Sequence, residues 1–278
     1  MNIPAALIAT LGFVVPVAAA ETPWQHVAPD VSIRLISSGV VSASGTTMMA
    51  LEIDMPQATK TYWRVPGETG LPLDIDLSAS TGVGAYHTHW PYPVREHKGG
   101  YLDFVYYGRT VLPFEVDVVD ASGSIRLAAT LGVCSDVCIP AQASFSLPLV
   151  DVAPDRPSSL RIKQALAQVP IDWDDGAEPV GGATVQPELG ALAVEVDTEA
   201  IDVESLIAAT EDGQPIFGVP QKSPQPGLVL LPILGKSDNS ALDGQAVELT
   251  FLTEKGAYVV DRTIEFGSDE VDEAVGDE

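Results

Sequence analysis

The sequence predicts an all-β protein: an antiparallel β-sandwich followed by a second, smaller β-sandwich. Three observations predict it. Apolar residues fall in short alternating runs, the period of a half-buried strand. Turn formers punctuate those runs, with 24 glycines and 22 prolines in 278 residues. The runs recur at roughly eight-to-twelve-residue spacing with no helical crossovers between them, as in a sandwich rather than a parallel α/β sheet. The length suits two domains.

The elements follow in order. Residues 1–20, MNIPAALIATLGFVVPVAAA, are almost wholly apolar and end on small residues. That is the pattern of an export signal cleaved before Glu21. The run has no Lys or Arg, so an uncleaved membrane anchor is the competing reading. Residues 21–150 form the first block. Val31 to Ile36 and Thr47 to Ile53 alternate, and Tyr101 to Tyr107 (YLDFVYY) is strand-like. A turn at Gly108-Arg109 leads into Thr110 to Val119, and Ser122-Gly123 separates that run from Ser124 to Val133. Phe145 to Val150 closes the block.

Residues 151–185 read as helix and linker. The helix is expected over Pro157 to Gln168, capped by Ser158 or Ser159, with Leu160, Ala165 and Leu166 as its apolar stripe. Pro170 ends it, and DWDDGAEPVGGA is rich in turn formers and acid. Residues 186–267 return to strand patterns, clearest in ALAVEV, LVLLPIL, AVELTFL and AYVVDRTIEF. Residues 268–278 read as a solvated, disordered acidic tail.

The formal charge of −25 excludes nucleic acid as a partner, because polyphosphate repels such a surface. The charge is uneven, −6 over residues 1–150 and −19 over residues 151–278. No small-molecule substrate and no organic cofactor is evident from any motif.

Export places the chain where thiols oxidise. It nevertheless has only 2 cysteines, Cys134 and Cys138. A disulfide across so short a loop restrains the unfolded chain by only about 2 kcal/mol, so stability explains the pair poorly. Disulfide geometry needs Cα atoms within about 7 Å. Residues four apart on one extended strand would be roughly 13 Å apart. The chain must therefore reverse at Ser135-Asp136-Val137, leaving the cysteines facing one another at the mouth of a hairpin. Loop-end cysteines are open to an incoming thiolate. Asp136 between them disfavours thiolate, so activation would wait for a docked partner.

Two other readings stand on residues alone. One is an inert structural disulfide in a non-catalytic adaptor. The other is a copper-binding module in which His87 and His89 share a strand face, with the cysteines, Met48, Met49 and His97 as further donors. Met48 and Met49 lie in an alternating apolar run and also suit core packing.

The run VCSDVCIPAQASFSLPL resembles the cysteine motif of the amino-terminal periplasmic domain of the DsbD family, closest to its ScsB-like branch. Upstream, TYWRVPGETGLPLDIDLSAS and HWPYPVREHKGGYLDFVYYGRTVLPFEV resemble the same family's segments. The resemblance spans roughly residues 24–150 and continues more loosely through 190–266 in ALAVEV, FGVPQ and GQAVELTF. It implies an immunoglobulin-like first domain. It also implies that the domain takes electrons from a membrane-embedded thiol reductant of DsbD/CcdA type and passes them to periplasmic thioredoxin-like proteins. ScsB-like proteins are further associated with copper-stress tolerance.

Carried over, Cys134 and Cys138 are the redox pair, with Cys138 forming the mixed disulfide and Cys134 resolving it. Residues 90–100, with Trp90 and Tyr92, are the expected cap over the pair, and Tyr62 is expected to line it. Fused family members continue into membrane and thioredoxin domains that this sequence does not contain, so the electrons are expected to come from a separate membrane protein.

Overall fold

The computed structural model describes residues 20–149, 156–235 and 239–267. All but the last residue of the expected signal peptide, and the whole of the expected acidic tail, lie outside these residues. The described residues are nearly all β, in three sheets with one helix.

The first two sheets form the first sandwich. One has the order β1-β2-β3-β9-β6, made of Gln25–Ala28, Val31–Val41, Thr46–Asp54, Thr110–Val118 and Val83–Thr88. The other runs β11-β10-β4-β8-β7, made of Cys138–Pro148, Ser124–Cys134, Lys60–Gly67, Tyr101–Tyr107 and Val94–Lys98, with β5 (Asp74–Asp76) paired to β10. Alternation sets the core: Ile33, Leu35, Met49, Leu51, Leu112 and Phe114 from one sheet meet Phe104, Leu127, Leu131 and Phe145 from the other. Met49 is thus core, as its apolar run allows.

The helix α1, Arg156–Leu166, lies on the opposite face of the first sheet. Its Ile162 packs on Ile36 and Ala50, with Met48, Val111 and Leu166 at the margin. Ser158, Ile162 and Ala165 are buried while Leu160 is 58% exposed, so the apolar stripe is displaced from the one expected. A buried carboxylate sits in this interface. Glu52 is fully buried and takes Arg34 Nε at 2.7 Å, the Arg109 guanidinium, and Arg161 at 3.4 Å. Burial acts to raise its pKa, but hydrogen bonds from Arg109 and Arg34 outweigh that and hold it below the ordinary carboxylate value.

The second domain is one sheet, β15-β19-β20-β13-β14-β18-β16, folded over its own core of residues such as Leu192, Leu206, Leu231, Leu249 and Phe251. These strands are Asp202–Thr210, Ala246–Thr253, Gly256–Phe266, Val180–Gln186, Ala191–Val196, Leu228–Leu234 and Ile216–Phe217; β12 (Ile171–Asp172) joins β20 and β17 (Gln221–Lys222) joins β18.

Two features differ from expectation. The sheet begins inside the stretch read as linker, because the alternation of Val180, Ala183 and Val185 is interrupted by Gly181-Gly182, where the register shifts. And β20 runs parallel to β13 and β12, so the last strand closes beside the first.

The two domains share a core. Ile207 and Ala209 of β15 are 2% exposed and belong to the first sandwich's apolar cluster, joined by Ile216 and Leu234.

Candidate redox site

The hairpin β10–β11 pairs in register from Ser124↔Pro148 to its last rung, Cys134↔Cys138. Ser135-Asp136-Val137 makes the reversal, with the Ser135 amide donating to the Val137 carbonyl at 3.3 Å. The two cysteines form a disulfide with Cα atoms 4.1 Å apart. Alternation along β10 turns Val133 into the core and Cys134 onto the outer face of the sheet. There Cys134 is nevertheless buried, 1% exposed, beneath Tyr62, Val105 and Tyr107. Cys138 is exposed, beside the projecting Val137. The two sulfurs are therefore inequivalent: an attacking thiolate meets Cys138.

Tyr62 is the covering residue. Its hydroxyl lies 2.7 Å from Cys134 Sγ and 3.5 Å from Cys138 Sγ. Disulfide sulfurs carry no proton, so the hydroxyl donates. Burial pushes the Tyr62 pKa up and Lys60 opposes it; the net rise keeps the phenol protonated and able to donate. Two glycines fit the ring. A Cβ on Gly70 would stand 2.2 Å from Tyr62 Cδ1, and one on Gly132 would stand 3.0 Å from its other edge. Neither position can carry a side chain while the ring stays where it is.

Behind the pair lies a charge network from three strands. Lys60 sits directly across from Cys134 on β4 and from Tyr107 on β8. Its ammonium bonds Glu96 of β7 and lies 3.1 Å from Asp103 of β8. Glu96 also accepts from the Tyr107 hydroxyl, and Asp103 accepts from Thr69 Oγ1 at 2.6 Å. Burial disfavours the charged Lys60, but the hydrogen bonds to Glu96 and Asp103 more than offset this and raise its pKa. The same Lys60 bond holds Glu96 below the ordinary carboxylate value against the effect of burial. Tyr107, half-buried and facing Glu96, is pushed up to about 12.

The other expected residues lie elsewhere. Tyr92 points to the second domain, its hydroxyl donating to the Ser205 carbonyl. Trp90 lines a cleft of about 640 Å³ between the sandwiches, together with Trp63, Arg64, His87 and His89. His87 and His89 touch edge to face at 5.0 Å, and burial lowers the His89 pKa. His97 is exposed on β7. Among the described residues no group of three His, Cys, Asp or Glu is placed to hold a metal ion. Lys60, Glu96 and Asp103 went unread in the sequence. Their one signal was an aspartate inside the otherwise apolar YLDFVYY.

The first sandwich carries a half-buried disulfide at a hairpin tip, an arrangement that suits thiol–disulfide interchange, and comparison with known proteins points the same way. Residues 34–149 match the family described as thiol:disulfide interchange protein DsbD, N-terminal. Over those residues the chain is similar to domains of that type. The fold is similar to the crystal structure of the N-terminal periplasmic domain of ScsB from Proteus mirabilis, with a TM-score of 0.72 and 23% identity, covering 90% of this chain and 100% of that one. At that identity the likeness is one of fold, and it extends over both sandwiches. No curated protein sequence matches the chain. Among the described residues no helix is long and apolar enough to cross a membrane.

Proposed function

We propose that the protein is a periplasmic relay for reducing equivalents. It takes electrons from a membrane-embedded thiol reductant of DsbD/CcdA type and delivers them to periplasmic thioredoxin-like proteins through Cys134 and Cys138. The observation that carries this reading is the inequivalence of the two sulfurs. A donor thiolate attacks the exposed Cys138 Sγ, the S–S bond breaks, and Cys134 leaves as a thiolate beneath the Tyr62 hydroxyl. The donor's second thiol resolves the mixed disulfide, leaving both cysteines reduced and the donor oxidised. In the second half-cycle Cys138 thiolate attacks an oxidised partner. Cys134 then resolves that adduct and releases the partner as a dithiol.

The test is trapping in cells. Cys134→Ser keeps the attacking sulfur and removes the resolving one, so it should accumulate a disulfide-linked thioredoxin-like protein. Cys138→Ser should accumulate little. If neither variant gives an adduct, the relay reading fails.

A further inference from the structure

The strand β7 is an edge strand, held on one side by β8 through the two-glycine turn Gly99-Gly100. Its other attachment comes from the second domain. In β15 the pairing with β19 jumps from Asp202↔Leu252 to Ile207↔Thr250, a bulge that turns backbone carbonyls out of the ladder. Three consecutive ones face the first domain. Arg95 donates to the carbonyls of Glu204 and Leu206, and Tyr92 donates to that of Ser205 between them. Residue 96, the next along β7, is the Glu that bonds Lys60 and Tyr107 beside the disulfide.

From this we infer that the second sandwich acts as a clamp on residues 92–96, and that the clamp sets the redox poise of the cysteine pair by keeping Glu96 on Lys60. The inference rests on the proposed redox role. Lys60 is the cross-strand neighbour of Cys134 on the side away from Cys138, and two carboxylates occupy its ammonium. A lysine so occupied gives little stabilisation to a cysteine thiolate, so the dithiol remains a ready electron donor. Freed from Glu96, the ammonium would keep only Asp103 and turn its surplus charge toward Cys134. The thiolate would be stabilised, and the reduced form with it. The ionisable groups around this corner are Lys60 and Tyr62 of β4, Glu96 and Lys98 of β7, and Asp103 and Tyr107 of β8, with Asp136 in the turn between the cysteines. Arg95 and Tyr92 are positioning residues in this scheme; neither touches the sulfurs.

The experiment is redox equilibration of the full chain against dithiothreitol, read by alkylation and mass. Glu96→Gln should move the equilibrium about tenfold toward the reduced form, equivalent to ~30 mV for this two-electron couple. Arg95→Gln should move it in the same direction, and Arg95→Lys should recover part of the shift. Tyr92→Phe, the mildest change and the safest for folding, should give about a threefold shift. The Arg95→Gln/Glu96→Gln double variant should shift no further than Glu96→Gln alone, because both act through one contact. Equilibria within twofold of the wild type for Glu96→Gln or Arg95→Gln, or additive shifts in the double variant, overturn the clamp and leave the redox role standing. A wild-type pair that resists the reductant altogether overturns both.

Discussion

Replacing Tyr62 by Phe removes the hydroxyl that reaches the redox pair and leaves the ring. The ring keeps its place between Gly70 and Gly132, and only the hydroxyl 2.7 Å from Cys134 Sγ is removed. In the disulfide state that bond joins neutral partners and contributes about 1 kcal/mol. Once Cys138 has been attacked, Cys134 is a thiolate, and a bond to a charged acceptor contributes roughly 1.5–3 kcal/mol. The differential is on the order of 1–1.5 kcal/mol in favour of the reduced, charged state. Tyr62→Phe should therefore lower the reduction potential by roughly 20–30 mV. It should also slow reduction by an external dithiol about five- to tenfold, because Cys134 becomes a poorer leaving group. Stopped-flow reduction by dithiothreitol at several pH values gives the rate, and equilibration against the same couple gives the potential. A variant whose rate and redox equilibrium constant both stay within twofold of the wild type would refute a donor role for the hydroxyl and reduce Tyr62 to a packing residue.

Three further outcomes are expected. Gly70→Ala forces a Cβ to 2.2 Å from the Tyr62 ring, so it should cost about 1–3 kcal/mol by overpacking and slow reduction at least as much as Tyr62→Phe; wild-type kinetics would show that the ring is not held there. Glu52 has a folded-state pKa below its ordinary 4.5, so its contribution is fully present above that value and lost as pH falls through the depressed one. Glu52→Gln should lose about 3 kcal/mol at pH 7 and flatten the acid limb of urea stability, and an unchanged limb would contradict the buried-carboxylate account. Ile207→Ala, in the core shared by the two domains, should lower stability by about 3 kcal/mol within one cooperative transition, whereas two separate wild-type transitions would show that the domains fold independently.

The strands were legible because alternation survives wherever one face is buried: β11 and most of β10 carry it, whereas β2 and β3, covered on both faces, each hold a run of five buried residues. The hairpin reversal at Ser135-Asp136-Val137 followed from how far apart two bonded cysteines can lie. Alternation does not disclose which strands become neighbours. Lys60, Glu96 and Asp103 come from three strands and meet only through register, so no spacing in the sequence links them. Trp90 and Tyr92 precede β8 as a cap segment would, yet they turn to the second domain because β15 exposes carbonyls there, a bulge that the sequence does not mark. Gly181-Gly182 misled in the opposite direction, reading as linker where the chain had already entered a sheet.

The disulfide is the last rung of a ladder that already joins eleven residues on each strand. Opening it releases a loop of five residues, whose closure restrains the unfolded chain by only about 2 kcal/mol. In a thermodynamic cycle of folding and reduction, that small figure is the whole loop contribution by which the two oxidation states can differ in stability. Through the loop alone, reduction and folding are thus coupled only weakly. A relay built on this pair would therefore spend little of the driving force of each exchange on closing or opening the loop.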